Sequence, residues 1–138
     1  MKTQNIAYWA VRIIAAFIML QTLFFKFTGA EESIYIFTQV GIEPWGRIGT
    51  GVMELIASIL LLIPSTVWVG AILGMGSMGG AVMTHIAILG INVKVDGVHG
   101  DGGQLFAYAI ITLLCCAISF WMSRNTWPSF LKSFLKVK

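Results

Sequence analysis

The sequence predicts an all-α fold, an integral membrane four-helix bundle, and three observations carry that expectation. The chain is 57% hydrophobic and only 11% charged, where a soluble domain carries about a quarter charged residues. Four apolar runs fill most of its 138 residues, each close to the roughly 20 residues a helix needs to cross a bilayer. None of the runs alternates with the two-residue period of a barrel strand. So little charge leaves no material for a separate soluble module, and residues 1–138 read as one membrane domain.

The first run covers residues 6–25 and is interrupted by Arg12 and Gln21. It is longer than the apolar core of a signal peptide and Arg12 breaks it, so it reads as a retained helix. Residues 26–46 follow, with Glu31 and Glu32, then Ile34, Phe37 and Val40 at helical spacing, then Gly41 as a stop signal. This predicts a short helix lying in the membrane interface. The second run covers 47–63 and is halted by Pro64. Only Pro64, Ser65 and Thr66 separate it from the third run, 67–91, which forces an antiparallel hairpin. Residues 92–103 form a glycine-rich connection on the opposite side, holding Lys94, Asp96, His99 and Asp101. The fourth run covers 104–122. In the tail, 127–138, Trp127, Phe130, Leu131, Phe134 and Leu135 can share a helical face apart from Lys132 and Lys136. That predicts an amphipathic basic helix on an anionic membrane surface.

Lys2, Arg124, Lys132, Lys136 and Lys138 fall on the side of the termini and the short hairpin, against Lys26, Arg47 and Lys94 on the other. The bias predicts a multi-pass protein of a bacterial-type inner membrane with both termini cytoplasmic. The net charge of +3 is not a nucleic-acid signal, because the basic residues form no patch with interleaved aromatics. The partner it points to is the lipid bilayer.

Polar side chains in hydrocarbon are costly and mark sites. At a rise of about 1.5 Å per residue, Gln21, Glu54, His85 and Tyr108 come to one layer roughly 6–11 Å inside the outer boundary. Lys26, Asp101 and Gln104 are expected to form a lid above it. Glu54 has Thr50, Gly51, Ala57 and Ser58 as helical neighbours, a small-residue stripe of the kind that lets helices pack closely in lipid. Gly70, Gly74, Ser77, Ala81 and Thr84 make a similar stripe on the third run, with His85 at its edge. Arg12, close to the inner end, is expected to snorkel to headgroups.

Glu54 reads as a proton-handling or ligand-anchoring acid, or else as half of a structural ion pair with Lys26, Arg47 or His85. His85 reads as a proton donor or acceptor, or as a helix-to-helix hydrogen bond. Gln21 suits structural glue and Tyr108 an aromatic belt as readily as a ligand contact. Glu54, His85, His99 and Asp101 have no recognised metal-ligand spacing, and His99 sits in a loop, so neither a metal nor a haem is expected. The adjacent Cys115 and Cys116 point about 100° apart and read as buried small hydrophobes. Nucleophile-elbow, P-loop and dinucleotide motifs are missing.

Leu23-Phe24-Phe25-Lys26-Phe27-Thr28-Gly29, Gly41-Ile42-Glu43-Pro44-Trp45 and Gly51-Val52-Met53-Glu54-Leu55-Ile56 running on to Pro64 resemble the DoxX-like family of small four-helix membrane proteins. Thr84-His85 and Asp101-Gly102-Gly103 also look like positions that recur in it. The resemblance spans about residues 8–122. It implies a four-helix membrane fold, and Lys26, Glu54 and His85 match the family's lysine, glutamate and histidine. The family takes its name from a membrane subunit of a thiosulfate:quinone oxidoreductase. The resemblance therefore implies a quinone-linked role, with Glu54 and His85 catalytic and Gln21, Lys26, Asp101, Gln104 and Tyr108 around the ligand. Electrons would come through a partner redox protein, and a homo-oligomer is the other expected association. The competing expectations are a non-catalytic binder of a lipid-like ligand or assembly factor, and a transporter or proton-conducting element.

Overall fold

The computed structural model describes residues 2–137. Lys138, the last cation of the expected amphipathic tail, lies outside them. Among the described residues, helix α1 runs Lys2–Thr28, α2 Glu31–Val40, α3 Trp45–Leu62, α4 Val67–Thr84, α5 Gln104–Met122 and α6 Ser129–Phe134. A π-helical turn, His85–Leu89, continues α4, and a 3-10 turn, Arg124–Thr126, follows α5. Four helical stretches are long and apolar enough to cross a membrane: α1, α3, α4 with its π turn, and α5.

The four pack in a closed ring, α1 against α3, α3 against α4, α4 against α5 and α5 back against α1. The usual distribution of polarity is inverted. Phe17 (65% exposed) and Phe24 (68%) face outward, as do Ile56, Ile59, Ile86 and Leu114, while Arg12, Glu54, Ser77, His85 and Thr112 are buried. Water would reverse that arrangement, and lipid is the solvent that favours it.

Small residues set the ring's spacing. A Cβ at Gly70 would lie 2.6 Å from the Leu61 nitrogen and 2.8 Å from the Ala57 oxygen, so α3 and α4 approach backbone to backbone. At Gly74 a Cβ would lie 2.6 Å from Cys116 Sγ of α5. The stripe read on α4 thus splits, with Gly70 facing α3 and Gly74 facing α5. Thr66 closes the hairpin by donating its hydroxyl to the Leu60 carbonyl at 3.0 Å. Cys115 and Cys116 are buried and free.

α2 covers the end of the ring away from the termini, touching α1, α3 and the π turn. It ends where Gly41 adopts φ 85°, its N–H bonding the Phe37 and Thr38 carbonyls, a left-handed cap that favours glycine.

Two expectations change. Arg12 does not snorkel: its side chain is fully buried, with Nε donating to the Leu61 carbonyl at 2.6 Å. The reason is a local acceptor, a carbonyl in the last turn of α3 that has no intrahelical donor. Trp127 does not share the tail's amphipathic face. It precedes α6, is 3% exposed, stacks on Phe120 at 4.4 Å between ring centroids, and donates Nε1–H to the Phe120 carbonyl at 3.1 Å. Only Phe130, Phe134 and Leu135 of the five are left exposed, beside Lys132 and Lys136.

Candidate functional site

Glu54 sits in the third turn of α3, 2% exposed, inside the ring. Its carboxylate is ion-paired with Lys26 of α1. Ser77 of α4 donates to Oε1 at 2.9 Å, and Thr22 of α1 approaches Oε2 at 3.4 Å. Thr22 and Lys26 are one turn apart on α1, so one helix face presents both the hydroxyl and the ammonium. A buried carboxylate needs a counter-charge and donors for its lone pairs, and α1 and α4 supply both. Of the three ion-pair partners weighed from sequence, Lys26 is the one the structure selects. Arg47 instead grips Glu43 through Nε at 2.9 and 3.0 Å and caps α1 through the Lys26 carbonyl. That arginine neutralises the carbonyl end of α1.

His85 begins the π turn and is 4% exposed. Its Nδ1 lies 2.9 Å from the Gly90 carbonyl, and the Gly90 N–H returns to the His85 carbonyl at 2.7 Å. A carbonyl oxygen only accepts, so Nδ1 carries the hydrogen, and among the described residues Nε2 has no hydrogen-bond partner. Phe106 packs edge-on at 5.5 Å. Among the described residues, no hydrogen bond or ion pair joins His85 to Glu54. The two side chains are anchored separately on one cavity.

That cavity holds about 540 Å³. All seven residues singled out from the sequence line it: Gln21, Lys26, Glu54, His85, Asp101, Gln104 and Tyr108. Their arrangement differs from a lid over a layer. Lys26 reaches down to Glu54 and belongs to the layer. Gln104 donates to the Tyr108 hydroxyl at 2.8 Å, and Gln21 approaches the same oxygen. The cover is α2, which contributes Glu32, Ser33, Ile36, Phe37 and Val40 to the wall.

Asp101 shapes the wall. Its Oδ1 accepts the Val93 and Gly103 N–H groups at 2.9 and 3.0 Å, and Oδ2 accepts the Leu105 N–H at 2.9 Å. It therefore ties the 92–103 loop to the first turn of α5. Partial burial opposes its ionisation, but those three N–H donors and nearby His85 outweigh it and hold the carboxyl below the usual range. Glu32 moves the other way: burial, then the negative charge of Asp101, raises its carboxyl above the usual range.

Thr22, Ser77 and Glu32 are among the wall residues the sequence did not single out as site residues. Thr22 had a readable signal, one turn before Lys26. Ser77 was submerged in a small-residue stripe, and Glu32 in the ordinary acidic start of a helix. His99 is in neither the layer nor the cavity: it is exposed and pairs with Asp96 at 2.8 Å. Among the described residues no three His, Cys, Asp or Glu side chains gather as a metal group.

A closed ring of four apolar helices around an internal cavity defines a small multi-pass membrane protein. The sequence pattern of the DoxX-like family matches residues 10–95, more than half of the chain, and the chain belongs to that family. The match takes in Lys26, Glu54 and His85 and stops before Asp101, Gln104 and Tyr108, so it is shorter than the resemblance over 8–122. No curated protein and no solved structure matches the chain.

Proposed function

We propose that this DoxX-like protein is the quinone-binding membrane subunit of an oxidoreductase, with its site in the α2-covered half of the bundle. The carrying observation is the cavity of about 540 Å³ that combines apolar walls with Lys26, Glu54, His85 and Tyr108. Its size falls within the roughly 300–1,000 Å³ of small-molecule sites. A quinone ring needs a flat apolar slot and donors for two carbonyl oxygens. Ile18, Ile36, Val40 and Leu105 suit the ring, and Lys26, Gln104 and Tyr108 are donors on the wall. When bound, a quinone supplies two-electron chemistry coupled to two protons.

The residues divide the remaining work. His85 offers Nε2 as the atom that takes up or delivers a proton, its ring held by Gly90. Glu54 holds negative charge against Lys26 and shares the wall with His85. α2 forms one wall of the cavity at the end away from the termini. Electrons enter from a partner redox protein, and the chain sits in a bacterial-type inner membrane with both termini cytoplasmic.

One observation favours a second reading, non-catalytic binding of a lipid-like ligand: both Glu54 oxygens already have partners, as in a structural pair. Native mass spectrometry of gently purified protein, with quinone-reduction rates in membranes, separates the two. The first reading expects retained quinone and a roughly hundredfold slower rate in Glu54→Gln. Retained lipid with an unchanged rate establishes the second. Loss of quinone from the purified protein together with an unchanged Glu54→Gln rate ends the first.

A further inference from the structure

At the end of the bundle away from the cavity, Arg12 is fully buried and only one of its three nitrogens has a partner. Nε donates to the Leu61 carbonyl, whereas Nη1 and Nη2 are enclosed with no acceptor among the described residues. Trp9 lies over the guanidinium at 3.8 Å and Tyr8 at 4.8 Å. Those rings compensate the charge through the face of the guanidinium. They do nothing for its edge, because the N–H groups donate in the guanidinium plane. The carbonyl end of α3 likewise offsets charge without filling the Nη fork. Four N–H donors in an apolar surrounding, on a residue seldom found inside a membrane span, call for an acceptor.

Among the described residues no carboxylate side chain lies near enough to provide one. Glu31, Glu32, Glu43, Asp96 and Asp101 lie in the connections at the opposite end, and Glu54 in the opposite half. At the Arg12 end the described charged residues are all cationic: Arg12, Arg124, Lys132 and Lys136. The described residues thus leave the Nη fork open to an acceptor from outside them. Arg12 lies level with the last turn of α3, the depth at which helix ends meet headgroups. Trp9, whose ring covers the face of the guanidinium, is itself 41% exposed on the lipid-facing side.

We infer that Arg12, with Trp9 as its cover, is a binding site for the phosphate of a membrane phospholipid. The two Nη groups present the fork that two phosphate oxygens accept in parallel, while Nε keeps its bond to Leu61. This site is independent of the cavity and of its proposed quinone.

The test uses the full chain in micelles of a neutral detergent. Thermal unfolding and native mass spectrometry are read with phosphatidylglycerol, with a phosphate-free galactolipid, and with inorganic phosphate alone. The expected result is stabilisation and retention with phosphatidylglycerol only, persisting in 0.5 M NaCl, where the screening length for surface charges is roughly 4 Å. Arg12→Lys, which keeps the charge and loses the fork, should weaken retention at least roughly tenfold. Lys132→Gln with Lys136→Gln should leave the salt-resistant part intact. Equal retention of the galactolipid, an equal effect of inorganic phosphate, or undiminished lipid retention in Arg12→Lys overturns the inference. Should Arg12→Lys not fold, the lipid comparison on the unaltered chain decides alone.

Discussion

Replacing Lys26 by Met leaves the Glu54 carboxylate inside the ring without its counter-ion. Removing one member of a buried pair costs about 3–5 kcal/mol. Two features of the site place the value near the lower bound. Ser77 still donates to Oε1 at 2.9 Å, and Lys26 is 14% exposed, so the cavity admits some water to the gap. The Thr22 contact at 3.4 Å is too long to add much. The expected loss is about 3 kcal/mol, roughly a 10 °C fall in unfolding midpoint for a chain of this size. Glu54→Gln alone strands the ammonium instead, though Lys26 can partly reach the cavity water. In the double variant neither charge is stranded, so it should be less destabilised than the sum of the singles by about 2 kcal/mol. The assay is reversible unfolding of the four proteins in one detergent, followed by helical circular dichroism. Additivity within about 0.5 kcal/mol would refute the claim that these two charges depend on each other.

The ring spacing gives a paired test. Gly70→Ala drives a Cβ into the α3 backbone and should cost about 1–3 kcal/mol, whereas Gly79→Ala, with nothing within 4 Å, should be neutral or stabilise by up to about 1 kcal/mol. Both are read from unfolding midpoints in the same detergent. Asp101 gives a pH dependence. Its folded carboxyl ionises more readily than an unfolded one, so its contribution is fully present above the unfolded value of about 3.9 and is lost as pH falls through the depressed folded value. Hydrogen exchange at the Val93, Gly103 and Leu105 amides should accelerate below that point, and Asp101→Asn should remove the dependence. Glu32 has the opposite sign: ionising it is disfavoured in the fold, so Glu32→Gln should raise stability at neutral pH and change nothing at acid pH. An unaltered midpoint at neutral pH would contradict its burial beside Asp101.

Apolar runs, a three-residue hairpin and sparse polar markers were sufficient to read the bundle and the layer that contains its site. The reason is that lipid imposes two strict rules, internal satisfaction of the backbone and inward placement of polar groups, and both leave their trace in local composition. Depth is therefore legible, because counting residues from a helix end measures it. Gln21, Glu54, His85 and Tyr108 came to one cavity on that count alone.

What lay beyond reading was azimuth and partnership. Whether Glu54 turns to Lys26, Arg47 or His85 depends on how α1 and α4 rotate around α3, and Gly70 against the Leu61 backbone decides that rotation. Whether Arg12 rises to the surface or stays inside depends on a carbonyl from a helix 49 residues away. The α2 cover over the cavity arises from contacts with α3 and the π turn, segments distant from it in the chain. The amino-acid order by itself determined the solvent, the helices and the common level of Gln21, Glu54, His85 and Tyr108. The tertiary structure alone decided which of those groups meet, because a hydrogen bond is specified by angle and distance, and a linear pattern carries neither across two helices.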